Sequence, residues 1–95
     1  MTTKETVVTN PPGLHARSAA TIVKLARSFT STIEICHQDK IAFADNIMSL
    51  LMLEASCGSP LEVSAKGPDE AEAVFAIVSL IEDDFGEGPH QTQHV

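Results

Sequence analysis

The sequence predicts an α+β domain: a four-stranded antiparallel sheet with helices on one face, in the order β-α-β-β-α-β-α. Three observations lead there. Short β-branched or alternating stretches at residues 5–9, 32–37, 40–44 and 61–66 have the two-residue period of strands. Stretches at residues 16–28 and beyond Asp69 repeat their apolar residues every three or four positions, as amphipathic helices do, and the short apolar run at residues 47–53 follows Asn46, a good N-cap residue. A chain of 95 residues has room for one modest core, so only one face of such a sheet can be buried.

Each element has a local reason. Residues 5–9 (Glu-Thr-Val-Val-Thr) are β-branched and are stopped by Asn10-Pro11-Pro12-Gly13. The first helix follows, with Ala19, Ile22, Val23, Ala26 and Phe29 as its buried face and Arg17, Thr21, Lys24 and Ser28 as a polar one. Residues 32–37 put Ile33 and Ile35 on one side. Gln38-Asp39 then makes a two-residue turn into the strand at residues 40–44, which leaves His37 solvated at a strand end. Asn46 suits the N-cap of a short helix over residues 47–53 that is apolar almost all round, so part of it is expected to form a contact patch. Leu61, Val63 and Ala65 alternate inward along the fourth strand. Asp69, with Glu72 three residues on, reads as a capping box for the last helix. The expected buried stripe of that helix is Ala71, Val74, Phe75, Val78 and Ile81, with Gly86 as its stop. The domain is expected to span residues 1–86, with a disordered polar tail at 87–95. The pattern is equally compatible with a ferredoxin-like arrangement carrying an extra helix.

Composition narrows the function classes. The net charge is -7, from 6 basic and 13 acidic residues, which argues against nucleic-acid binding through phosphate contacts. No apolar run approaches the roughly 20 residues that span a bilayer. The N-terminus carries no apolar signal region, and Cys36 and Cys57 read as reduced, inert small residues. A cytoplasmic protein without membrane or nucleic-acid partners is expected. No P-loop, GxGxxG or metal-ligand cluster is present, so neither cofactor nor metal is expected. His90 and His94 are four residues apart, but the tail has no helix signal to bring them together.

The chemistry concentrates at Gly13-Leu14-His15-Ala16-Arg17-Ser18, where a Pro-rich loop becomes a helix. A helix N-terminus offers unpaired N–H groups and a partial positive charge, and both favour a phosphate. A phosphoryl group on the His15 ring could accept from the N–H groups of Ala16 and Arg17, and the Arg17 guanidinium could pair with the same oxygens. From Gly13 to Phe29 there are three basic residues (Arg17, Lys24, Arg27) and no acidic one, although the chain as a whole is acidic. That basic surface suits docking to acidic partners.

The Asn-Pro-Pro-Gly-Leu-His-Ala-Arg run, its position and the element order together resemble HPr, the histidine-containing phosphocarrier of the bacterial sugar phosphotransferase system. The resemblance covers about residues 4–85 and implies an open-faced β-sandwich, with three helices on one side of the sheet. It implies a monomer without enzymatic turnover of its own, whose His15 takes a phosphoryl group at Nδ1 from Enzyme I and passes it to IIA domains. Transcriptional regulators are further partners on the same analogy. Arg17 becomes the phosphate-pairing residue. Ile47, Met48, Leu51 and Met52 become the docking patch, with Thr21, Lys24 and Arg27 at its basic edge.

Two residues depart from the family pattern. Ser18 stands where proline is usual, which restores a donor and loosens the first turn, implying weaker pre-organisation of the site. Asn46 stands where many relatives carry a regulatory serine, so the cap survives without the acceptor hydroxyl, and Ser49 is the nearest other serine. These departures keep a second reading open: a regulatory paralogue, either a nitrogen-branch carrier or a docking module.

Overall fold

The strands pair in the order β1-β4-β2-β3. In the computed structural model, which describes residues 1–86, β1 is Thr2–Val7, β2 Thr32–His37, β3 Lys40–Phe43 and β4 Pro60–Lys66. The helices are α1 (Ala16–Ala26), α2 (Ile47–Leu51) and α3 (Glu70–Glu82), and a 3-10 turn at Asp84–Gly86 closes the described chain. The tail expected at 87–95, with His90 and His94, lies outside the described residues. In a ferredoxin-like split βαβ sheet the third strand lies between the first two and the fourth lies at an edge, whereas here β4 lies between β1 and β2 and β3 is at the edge, so the ferredoxin-like alternative is set aside.

One face of the sheet carries Ile33, Ile35, Leu61, Val63, Ala65 and Ala42, all buried. Against them pack Ile22 and Val23 of α1, Leu50 of α2, and Ile77 and Ile81 of α3. Removing such a side chain from water is worth about 1.5–3 kcal/mol, so this layer holds the helices in place. The opposite face stays open: Ile41 and Phe43 are exposed there. Cys36 shares that face. Burial pushes its thiol up, and the Glu62 and Glu34 carboxylates add to this, which favours the protonated form. Both cysteines are free thiols.

Several element boundaries move. β1 runs from Thr2 to Val7, not over 5–9, because its register is dictated by β4, from Thr2 opposite Ala65 to Val7 opposite Pro60. An edge strand needs few apolar residues of its own, so polar Thr2–Lys4 pair as well as the β-branched run. Val8 and Thr9 leave the ladder, although Val8 N–H still donates to Ser59 O at 2.9 Å. α1 stops at Ala26, and Ser28 folds its hydroxyl back to Leu25 O. α2 ends at Leu51, with Met52 as C-cap, and β3 ends at Phe43.

The last helix differs more. Its buried residues are Ala73, Val74, Ile77, Val78 and Ile81, whereas Ala71 and Phe75 face solvent, Phe75 being 72% exposed. The stripe is one residue row away from the expected one, since α3 rests on β1 and β4 along its 73/77/81 line. Asp69 occupies the N-cap but its side chain does not cap α3. It instead accepts from the backbone N–H groups of Thr30 and Ser31 at 2.9 Å each, tying the loop before β2 to the helix start. Glu72 makes no capping box. Glu70 does the equivalent work, reaching back to Gly67 N–H at 3.1 Å and accepting from Thr2 Oγ1 at 2.7 Å. α3 ends at Glu82, four residues before Gly86, because Asp84 and Phe85 take left-handed φ values of 53° and 56° that turn Phe85 into the core.

These contacts have a pH signature. The Thr2 hydroxyl, then the Gly67 N–H, hold the Glu70 carboxyl down at about 2, against an ordinary 4.5, and bonds from Ser31 and Thr30 lower Asp69 in the same way. A depressed carboxylate stabilises the fold above its unfolded pKa, and that contribution is lost as pH falls through the folded one. Urea midpoints of the wild type should therefore decline from about pH 4.5 toward pH 2, and Glu70→Gln should flatten part of that decline. An unaltered slope in Glu70→Gln would show that these bonds do not link Glu70 to folding.

Candidate functional site

The loop that delivers His15 is pinned at both ends. Asn10 is buried, and its Nδ2 donates to Gly13 O at 3.0 Å, while Gly13 N–H returns to Asn10 O at 3.0 Å. Gly13 has a φ of +71°, and a Cβ there would lie 2.8 Å from Ser56 Cα and 2.9 Å from Ala55 O. Only glycine allows both the turn and this backbone-to-backbone approach. The next residue, Leu14, donates its N–H to Ala55 O at 2.9 Å and buries its side chain. The site loop is thus clamped to the segment that follows α2.

His15 then becomes the N-cap of α1, with extended backbone (φ -131°, ψ -174°) and a half-buried ring. Its Nδ1 accepts from Arg17 N–H at 3.3 Å. An N–H donor requires a lone pair at the acceptor, so the neutral ring carries its proton on Nε2 and its free pair on Nδ1, aimed at the helix N-terminus. Ser18 completes a capping box: its backbone N–H also faces the ring, and its Oγ accepts from His15 N–H at 2.8 Å. The hydroxyl proton is within reach of His15 O at 3.1 Å or Gly13 O at 3.3 Å. Hydrogen bonds of Ser18 thus tie the first turn to the loop at the position where the family usually has a proline ring.

Ala16 and Arg17 are exposed in the first turn. Arg17 N–H is not idle in this state, since it serves the ring nitrogen itself. Thr21 directs its hydroxyl to Arg17 O at 3.0 Å, while Lys24 and Arg27 are exposed further along α1. No acidic residue lies in the first turn of α1.

α2 packs beside α1 and carries the apolar residues singled out in the sequence. Met48 and Met52 are exposed by 68% and 67%, Ile47 by 39%, and Leu51 is partly buried. Asn46 caps the helix by accepting from Ser49 N–H at 3.0 Å.

His37 was expected in solvent and is buried instead. Its Nδ1 lies 2.7 Å from Leu53 O, and because a carbonyl only accepts, Nδ1 carries the proton. The inward-facing strand position buries the ring, and the segment that follows α2 supplies its partner. Lys40 Nζ bonds Glu54 Oε1 at 2.8 Å one residue further on. The sequence holds a signal for this: His37 continues the inward alternation of Ile33 and Ile35.

The geometry defines a class before any comparison: an open-faced α+β domain presenting a helix-capping histidine beside a basic helix and an exposed apolar one. The family model described as the PTS HPr component phosphorylation site matches residues 2–83. Phosphocarrier protein HPr of Cupriavidus necator is 39% identical over 88 residues, covering 93% of this chain and 99% of its own. Phosphocarrier protein NPr of Escherichia coli K12 is 37% identical over 89 residues, covering 92% of this chain and 99% of its own. A crystal structure of HPr-C-His from Thermoanaerobacter tengcongensis superposes with a TM-score of 0.87 at 41% identity, covering 93% of this chain and 99% of that one. The chain belongs to the HPr family of phosphocarriers of the phosphotransferase system. Membership implies phosphotransfer partners such as Enzyme I and IIA. Among the described residues, no helix is long and apolar enough to cross a membrane.

The His37 contact yields a test. His37→Leu stays close to the volume of histidine but removes the donor to the buried Leu53 carbonyl, at a cost of about 1–3 kcal/mol. Urea denaturation should show this loss. A variant as stable as the wild type would mean that the bond contributes nothing net.

Proposed function

We propose that this protein accepts a phosphoryl group on Nδ1 of His15 from Enzyme I, charged by phosphoenolpyruvate, and passes it to IIA domains. The observation that carries the reading is the cap itself: Nδ1 of His15 accepts from Arg17 N–H at 3.3 Å and faces the N–H groups that open α1. Nδ1 attacks phosphorus as the bond to the donor group breaks, and the donor keeps that electron pair. The ring nitrogen no longer accepts once bonded to phosphorus. Arg17 N–H, and the Ser18 N–H beside it, are then released to the phosphoryl oxygens, which lie where the lone pair was. Arg17, exposed and two residues on, supplies a guanidinium for the same oxygens. Return transfer reverses these exchanges, so the same donors serve both states and neither is trapped.

Docking falls to Ile47, Met48, Leu51 and Met52 with Thr21, Lys24 and Arg27 beside them. The exposed methionines support this, since flexible apolar side chains suit several partners in turn. Thr21 takes part through its methyl group and backbone, as its hydroxyl is engaged. The protein acts as a monomer in the cytoplasm. A second reading, a carrier of the regulatory branch with regulators among its partners, is favoured by the NPr relatives at 34–37% identity that stand beside the HPr relatives.

Incubation with phosphoenolpyruvate and Enzyme I should give an acid-labile, base-stable adduct that is absent in His15→Ala. Arg17→Ala should fold normally and transfer about 10- to 100-fold more slowly, the scale of one lost charge-assisted contact. No adduct on the wild-type chain with an Enzyme I of the same organism overturns the reading, and an Arg17→Ala variant with wild-type rates removes Arg17 from it.

A further inference from the structure

Ser18 is fully buried in the first turn of α1, yet nothing in its hydroxyl serves the core. A buried alanine would fill almost the same volume. Every bond of Oγ goes back to the loop that carries His15: it accepts from His15 N–H at 2.8 Å, and its proton is in range of His15 O at 3.1 Å and Gly13 O at 3.3 Å. The backbone N–H of the same residue meets the His15 side chain. One residue thus holds both the backbone and the ring of His15.

We propose that Ser18 is a positioning residue for phosphoryl transfer, fixing His15 so that Nδ1 faces the helix N-terminus. The proposal rests on the assignment of His15 as acceptor. The extended backbone of His15 lies outside the helix, and no sheet ladder secures it. Its N–H is the donor whose direction sets where the Cα–Cβ bond points. Take away Oγ, and that N–H must turn toward water, carrying the ring with it. The reacting nitrogen then departs from the line between the helix N–H groups and the incoming phosphorus, and misplacement of this kind lowers the rate of transfer. Because Ser18 has no exposed surface, it cannot touch a docked protein. Its effect must therefore fall on turnover and leave docking alone.

Two measurements on the full chain test this. In amide hydrogen exchange of the wild type, His15 N–H should be protected by about tenfold or more relative to an unstructured peptide, the equivalent of one hydrogen bond. Ser18→Ala should abolish that protection while amides of the α3 core, such as Ile77, keep theirs. In steady-state phosphorylation by Enzyme I and phosphoenolpyruvate, Ser18→Ala should lower kcat about tenfold and leave KM for this chain unchanged. A wild-type His15 amide that exchanges at the peptide rate overturns the proposal, and so does a Ser18→Ala variant with wild-type kcat. A loss confined to KM, or one that tracks a general loss of protection including Ile77, also overturns it. The wild-type exchange rate decides the matter even where Ser18→Ala does not fold. A wild-type chain that forms no adduct refutes the His15 assignment instead, a result distinct from any of these.

Discussion

A four-stranded sheet with one apolar face has a single way to hide that face in a chain this short. Ile33, Ile35, Leu61 and Val63 must be covered by helices, and α1, α2 and α3 do so from one side. Everything else follows from that layer. α1 and α2 become neighbours because both rest on the same core, with Ile22 and Leu50 fully buried beneath them. The loop before α1 must then pass close to the segment after α2, and Gly13 is the residue that fits between its own turn and the Ala55–Ser56 backbone. The histidine that follows has its position settled by the core, two steps removed.

The site built on this frame is economical in parts. As proposed, it consists of a ring nitrogen, a helix start, an arginine and a buried serine. The helix N–H groups act as donors to the ring in one state and suit phosphoryl oxygens in the other. The helix dipole and these N–H groups are fixed before any reaction, so no reorganisation is required when charge arrives. The basic surface of α1 and the exposed methionines of α2 lie side by side, joined through Leu14 N–H to Ala55 O at 2.9 Å. The segment that follows α2 is thus bonded directly to the loop that carries His15.

Much of this was legible in the sequence, and the remainder failed for identifiable reasons. The helix start at His15 could be read because a glycine and two prolines punctuate it, and the cap at Asn46 because its side-chain chemistry is local. The strands β2, β3 and β4 could be read from alternation. The limits of β1 could not, since an edge strand takes its register from its neighbour and Thr2–Lys4 look like any polar terminus. The phase of α3 was missed because apolar residues surround most of that helix, so Phe75 looked as suitable for burial as Ile77 until the sheet chose between them. Asp69 has the chemistry of a cap, but Thr30 and Ser31, nearly forty positions away in the chain, claim its carboxylate. His37 and Ser18 share the same lesson: each depends on a partner backbone that only the folded chain supplies.

The central claim is that the cap directs Nδ1 of His15, and not Nε2, toward the incoming phosphoryl group. Nitrogen NMR of the ring, with the chain labelled at histidine and phosphorylated by Enzyme I, reads this directly. The account predicts that phosphorus coupling appears on Nδ1 of His15 with the proton retained on Nε2. Coupling on Nε2, or a phosphoryl group on any other residue, would contradict it.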